Sequence, residues 1–82
     1  MESFGQRLRR IRNGRGVSGE ALAAAVGVSG SAIRLMETGG TRQARLDVGV
    51  LIAYALDVTP LYLVFGDHAP VVKRLGKAKV KA

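Results

Sequence analysis

Apolar residues recur along this chain at helical spacing, in short blocks separated by glycine or opened by a capping Ser or Thr. Phe4, Leu8 and Ile11 stand at i, i+4 and i+7 and form one stripe. Ser3, with Gln6 three residues later, fits a capping box. A first helix is therefore expected from about Ser3 to Asn13, closed by Gly14 and Gly16. The second runs from about Gly19 to Val26 behind an N-cap at Ser18, with Leu22, Ala23 and Val26 inward. Gly27 supplies the left-handed residue that stops it. The third starts after Ser29 and ends at Thr38-Gly39-Gly40. Its inward residues are Ala32, Ile33 and Met36, and its outward residues are Gly30, Ser31 and Arg34. The fourth covers roughly Leu46 to Leu56. Thr59-Pro60, a capping residue followed by Pro at the first helical position, opens the fifth, which ends at Gly66. No strand alternation precedes residue 66 and no segment repeats, so the pattern predicts an all-α fold.

The fourth helix breaks the amphipathic rule. Leu46, Gly49, Val50, Ala53 and Leu56 fall on one side, and Val48, Leu51, Ile52 and Ala55 on the other, at 100° per residue. A helix apolar all round is normally buried all round. A domain of this size leaves one side to water, so a partner surface is expected: Val48, Leu51, Ile52 and Ala55, joined by Leu61 of the fifth helix. Scattered apolar surface residues are the competing reading.

Composition narrows the field. The chain has 82 residues, a net charge of +7 and no cysteine. That length supports one core, read here as a domain over residues 1–66 with a basic tail over 67–82. Without cysteine there is no disulfide, thiolate metal site or thiol nucleophile. A small domain lacking such staples is expected in the cytoplasm. No apolar run is long enough for a membrane span, and no signal-peptide pattern opens the chain. Nine of the thirteen cations are arginine, the residue best suited to phosphate and guanine. A polyanionic partner is the natural reading.

Candidate chemistry points the same way. The tight turn at Gly27, between two short helices, has the form of a DNA-binding helix-turn-helix. His68 is the only histidine, and no nucleophile or ligand set accompanies it, so neither catalysis nor a metal or other cofactor is expected. The stretch Asn13-Gly14-Arg15-Gly16 lacks the Gly-Lys-Ser/Thr ending of a phosphate loop. No exposed aromatic on the third helix favours RNA bases.

Beyond these features the chain resembles the phage lambda repressor/Cro-like helix-turn-helix family. The resemblance rests on Gly5-Gln6-Arg7-Leu8-Arg9-Arg10-Ile11-Arg12, Gly16-Val17-Ser18, Leu22-Ala23, Val26-Gly27-Val28-Ser29, Ile33, Glu37 and Gly39. It continues through Leu46-Asp47, Ile52-Ala53-Tyr54-Ala55-Leu56, Val58-Thr59-Pro60 and Phe65-Gly66-Asp67. It implies a compact five-helix bundle whose third helix enters the major groove of double-stranded DNA, in a homodimeric regulator on a palindromic operator. Ser29, Gly30, Ser31 and Arg34 are then the helix-borne DNA contacts, with Arg34 and Ser31 reading a base or a phosphate. Arg42, Gln43 and Arg45 would follow the backbone from the next loop, and the tail cations Lys73, Arg74 and Lys77 would neutralise phosphate. The resemblance also implies an ion pair between Arg12 and Glu37.

The chain departs from the family at three points. Gly19 stands where many members carry Gln, Gly30 stands where a long polar residue is common, and the loop before the fourth helix lacks the usual Pro-Ser cap. A DNA-binding antitoxin or a protein-binding adaptor on the same scaffold is the alternative reading.

Overall fold

The computed structural model describes residues 2–39, 45–73 and 75. Five helices appear in chain order: α1 (Phe4–Gly14), α2 (Gly19–Val26), α3 (Gly30–Thr38), α4 (Leu46–Ala55) and α5 (Pro60–Phe65). A short 3₁₀ turn, Gly66–His68, follows. No strand occurs among the described residues, and residues 69–73 form no regular element.

Local chemistry explains where the helices begin. The backbone N–H of Gln6 donates to Ser3 Oγ at 3.2 Å, and the N–H of Ser3 donates to Gln6 Oε1 at 2.8 Å. Both halves of the box are thus made. Ser18, Ser29 and Thr59 each accept one N–H of the following turn at 3.0 Å. The start of α4 is different. Arg45 is its N-cap and gives no side-chain cap. Asp47 in the first turn instead accepts the N–H of Val48 at 2.8 Å. The missing Pro-Ser cap thus has a visible consequence.

Gly27 ends α2 at φ +87°, a conformation that glycine adopts without the steric cost of a Cβ. The N–H groups of Gly27 and Val28 both return to the carbonyl of Ala23, at 2.8 and 3.0 Å. Three residues, 27–29, thereby separate the two helices.

The core draws on every helix. Leu8 and Ile11 come from α1, Leu22 and Ala23 from α2, Ile33 and Met36 from α3, Ile52, Ala53 and Leu56 from α4 and its end, and Leu63 from α5. α1 packs on α3 and α5, α2 on α3 and α4, and α4 on α5. Gly5 sets the closest approach. A Cβ there would lie against the Met36 carbonyl and 2.6 Å from that of Glu37. Only a residue without a side chain lets α1 sit this tightly on the end of α3.

One expectation needs correction. Ile52, expected on the outer side of α4, is fully buried, with no surface to give a partner. Together with Ala53 and Leu56 it forms the inner face at i, i+1 and i+4, and Val48 is half-buried against the same core. The true outer face carries Leu46, Val50, Leu51 and Tyr54, all exposed. An apolar-all-round helix has no polar marker to show which stripe turns inward, so the wheel was divided at the wrong angle.

Arg7 of α1 lies inside the fold. Although charged, it is only 5% exposed. Its Nη1 donates to the carbonyls of Leu63 and Val64 at 3.0 and 2.9 Å, at the end of α5. Its Nη2 donates to the Glu2 carbonyl at 3.3 Å. Its Nε makes no hydrogen bond but faces the Glu2 carboxylate at 3.4 Å. The guanidinium thus satisfies two carbonyls that a helix end leaves without partners. Arg10 supports the arrangement by pairing with Glu2 at 2.6 Å and with the Tyr62 hydroxyl at 3.1 Å. The hydrogen bond from Arg10 holds the Glu2 carboxyl below its ordinary range.

Replacing Arg7 with Met should therefore cost about 2–4 kcal/mol, because buried carbonyls lose a charged donor. Urea unfolding followed by circular dichroism measures it. A midpoint unchanged from the parent would show that Arg7 does not hold α5.

Candidate nucleic-acid interface

The surface beyond the Gly27 turn is built by α3 and the first turn of α2. Ile33 and Met36 anchor α3 inward, which turns Ser31, Arg34, Leu35 and Thr38 outward. These fall at i, i+3, i+4 and i+7, one face of the helix. Ser29 is held by its capping bond to Ala32. The Thr38 hydroxyl donates back to the Arg34 carbonyl at 2.9 Å. Ser31 and Arg34 have no such internal duty toward the backbone of α3.

Arg34 extends from this face with a side chain 67% exposed, its Nη2 3.8 Å from Glu20 Oε1. Glu20 is an N-terminal residue of α2 and is itself exposed. Gly19 and Gly30 leave a trough of about 210 Å³ here, lined by Glu20, Ile33, Arg34 and the Arg12–Glu37 pair. Neither glycine carries a side chain to fill it. The carboxylate of Glu20 takes that space: a Cβ on Gly30 would meet it at 2.5–3.0 Å. Sequence reasoning missed Glu20 and Leu35. For Leu35 the signal was present, because it lies one helical turn from Ser31 on the outward face.

Beneath this surface Arg12 and Glu37 come together. Arg12 Nε donates to Glu37 Oε2 at 2.6 Å and Nη2 donates to Oε1 at 3.0 Å, a two-pronged pair. A third bond, Nη1 to the Val17 carbonyl at 2.8 Å, reaches the α1–α2 connection. The two side chains are 13% and 8% exposed. The hydrogen bond to Glu37 raises the Arg12 pKa, against the opposing effect of desolvation. The pair links α1, the α1–α2 turn and the last turn of α3, and so sets how α3 is presented.

The remaining candidates are dispersed. Arg45 is exposed, and its Nη2 pairs with Asp47 at 2.8 Å. Contact with a phosphate would compete with that bond. Lys73 is exposed in the tail. Arg42, Gln43, Arg74 and Lys77 lie outside the described residues. No group of three His, Asp or Glu residues suited to a metal occurs among the described residues. No single described helix is long and apolar enough to cross a membrane.

Two short capped helices joined by a three-residue glycine turn, the second anchored inward and bare outward, define a helix-turn-helix unit. A helix-turn-helix domain family model matches residues 3–61. The P22 c2 repressor, solved with a synthetic operator, superposes with a TM-score of 0.77 at 31% identity, covering 82% of this chain and all of that one. The restriction-modification controller protein C.AhdI from Aeromonas hydrophila gives 0.69 at 40% identity, covering 73% and 89%. SinR, solved as a complex with SinI, gives 0.74 at 26% identity, covering 79% and 63%. No curated protein sequence matches this chain. The chain belongs to the helix-turn-helix domain family, in its lambda repressor-like, Cro/CI-type (XRE) branch.

Removing the charge of Glu37 strands a nearly buried guanidinium, so Glu37→Gln should lose about 2–4 kcal/mol of stability. The double variant Arg12→Met with Glu37→Leu should regain most of that loss, because no uncompensated charge remains. Thermal unfolding of the three proteins checks this. A single variant as stable as the parent would mean that the pair carries no weight.

Proposed function

We propose that the protein is a dimeric repressor that lays α3 in the major groove of a palindromic operator. That it is a helix-turn-helix DNA-binding transcriptional regulator, and no enzyme, follows from its family. The dimer, the palindrome and repression are our reading. One observation carries the reading of the surface: α3 is anchored by apolar residues on one side and offers Ser31, Arg34 and Leu35 on the other.

Each of these groups suits a groove edge. A guanidinium makes two parallel bonds to guanine O6 and N7. The Ser31 hydroxyl suits either a base or a phosphate. Leu35, 51% exposed, has the chemistry to meet a thymine methyl. The N-terminal N–H groups of α3 and the exposed Arg45 and Lys73 suit phosphate, as do Arg42, Gln43, Arg74 and Lys77 by residue type. A net charge of +7 supplies the long-range attraction. The cytoplasm is the compartment such a regulator works in.

The outer face of α4 and α5 is our candidate dimer surface. Leu51 is 49% and Leu61 59% exposed, with Val50, Tyr54 and Val64 beside them in sequence. Exposed apolar surface on this scale favours a partner over water. A second copy related by a two-fold axis would place two α3 helices about one DNA turn apart. The same patch supports an alternative in which a different protein docks there. SinR, a structural neighbour, was solved with a protein partner.

Arg34→Ala should cost about 1–3 kcal/mol on the preferred operator and relax one base pair in each half-site. Binding-site selection followed by salt titration reads this. Equal loss on operator and random DNA would make Arg34 a phosphate contact. Leu51→Glu should yield a folded monomer by analytical ultracentrifugation, with unchanged helix content by circular dichroism. A dimer that survives the added charge would move the interface elsewhere.

A further inference from the structure

We infer that Glu20 is a base-reading residue, which works with Arg34 to select a guanine next to a cytosine or adenine. The inference rests on the DNA-binding reading above and goes beyond it in naming an acidic specificity element on α2. Three observations converge. The Glu20 side chain is 77% exposed, at the mouth of the trough between α2 and α3. Its carboxylate lies directly over Gly30, in the space a side chain at that position would take. Its Oε1 stands 3.8 Å from the Arg34 guanidinium, the longest cation on the outward face of α3.

The separation has a chemical counterpart. Neighbouring bases along a strand stand about 3.4 Å apart. An acceptor and a donor that meet in the free protein come from neighbouring positions on the surface, within reach of adjacent base pairs. Arg34 donates to guanine O6 and N7. Glu20, which only accepts, takes a hydrogen bond from an exocyclic amino group: cytosine N4 or adenine N6. An ionised carboxylate next to guanine O6 or thymine O4 would find only acceptors. Those bases are rejected by repulsion rather than by lack of fit. The exposed pair in the free protein contributes little, so exchanging it for DNA contacts costs little.

Gly19 and Gly30 make this arrangement feasible. A side chain at Gly30 would meet the Glu20 carboxylate and displace it, and Gly19 borders the same trough. With that space left free, the Glu20 carboxylate stands exposed at the trough, in a chain whose overall charge is strongly positive. General phosphate attraction would be served better without it, which marks it as a selector rather than an anchor.

The test is selection of bound DNA from a random pool at fixed salt, with the parent, Glu20→Gln and Glu20→Ala. Helix content by circular dichroism verifies that the variants fold. The parent should enrich a motif with cytosine or adenine at one position per half-site. Glu20→Gln should shift that position toward adenine, since an amide both donates and accepts. Glu20→Ala should lose the preference there, with a fall of about 5- to 100-fold in the ratio of operator to random affinity. If both variants enrich the parental motif, and their affinities for operator and random DNA change by one common factor, Glu20 is only a surface charge. In that case the inference fails while the proposed function stands. A parent protein that enriches no motif overturns both.

Discussion

The Arg12 guanidinium joins three parts of the chain that sequence keeps separate. It pairs with Glu37 at the end of α3 and bonds the Val17 carbonyl before α2. A pair this deep contributes little net stability, because desolvation of two charges offsets most of their attraction. Its contribution is directional. A two-pronged guanidinium–carboxylate contact fixes both distance and plane, and α3 has only two buried side chains of its own, Ile33 and Met36. A helix of nine residues held by two apolar anchors can roll about its axis. The charged tie at its last turn removes that freedom, and Gly5 lets α1 pack directly against the same turn.

Arg7 applies the same chemistry at the other end of α1. There the hydrogen bonds go to a helix end, with the Glu2 carboxylate alongside, and the guanidinium serves carbonyls that no N–H of the helix can reach. α5 is only six residues long, too short to be stable alone. It is kept by Leu63 in the core, by the Thr59 cap and by Arg7. Two of the arginines that make this chain look like a uniform polycation are therefore interior fittings. Among the described residues the exposed guanidinium groups lie elsewhere, on Arg9, Arg10, Arg15, Arg34 and Arg45.

This division explains how far the sequence could be read. Helix starts at Ser3, Ser18, Ser29 and Thr59 were legible because a cap is a local event, with its partner three residues away. The stop at Gly27 was legible for the same reason. The inner stripes of α1, α2 and α3 followed from polar residues that mark the opposite face. Where polar markers fail, reading fails: α4 has apolar residues all round, and only packing against α2 and α5 decides that Ile52 turns in and Leu51 out. Arg7 was opaque because its partners, 56 and 57 residues away, are backbone carbonyls that carry no residue signature. Glu20 was opaque because its place depends on what Gly30 lacks. The Arg12–Glu37 contact was reached through family resemblance, since nothing in the spacing of those two residues points to it.

The recognition surface follows from subtraction. Glycine at positions 19 and 30 leaves this surface without two side chains. The gap is not closed by the backbone, since the trough remains, and it is not filled by an apolar residue. An acidic side chain leans over one rim and an arginine over the other. An overall positive charge draws any DNA, and attraction of that kind carries no sequence information. Discrimination needs groups whose energy changes sign with the base they meet. A carboxylate does so most sharply, because it gains a bond from an amino group and meets repulsion from a carbonyl. On a surface thinned of neutral polar side chains, the carboxylate and the arginine can supply by charge the contrast that hydrogen-bonding amides supply elsewhere.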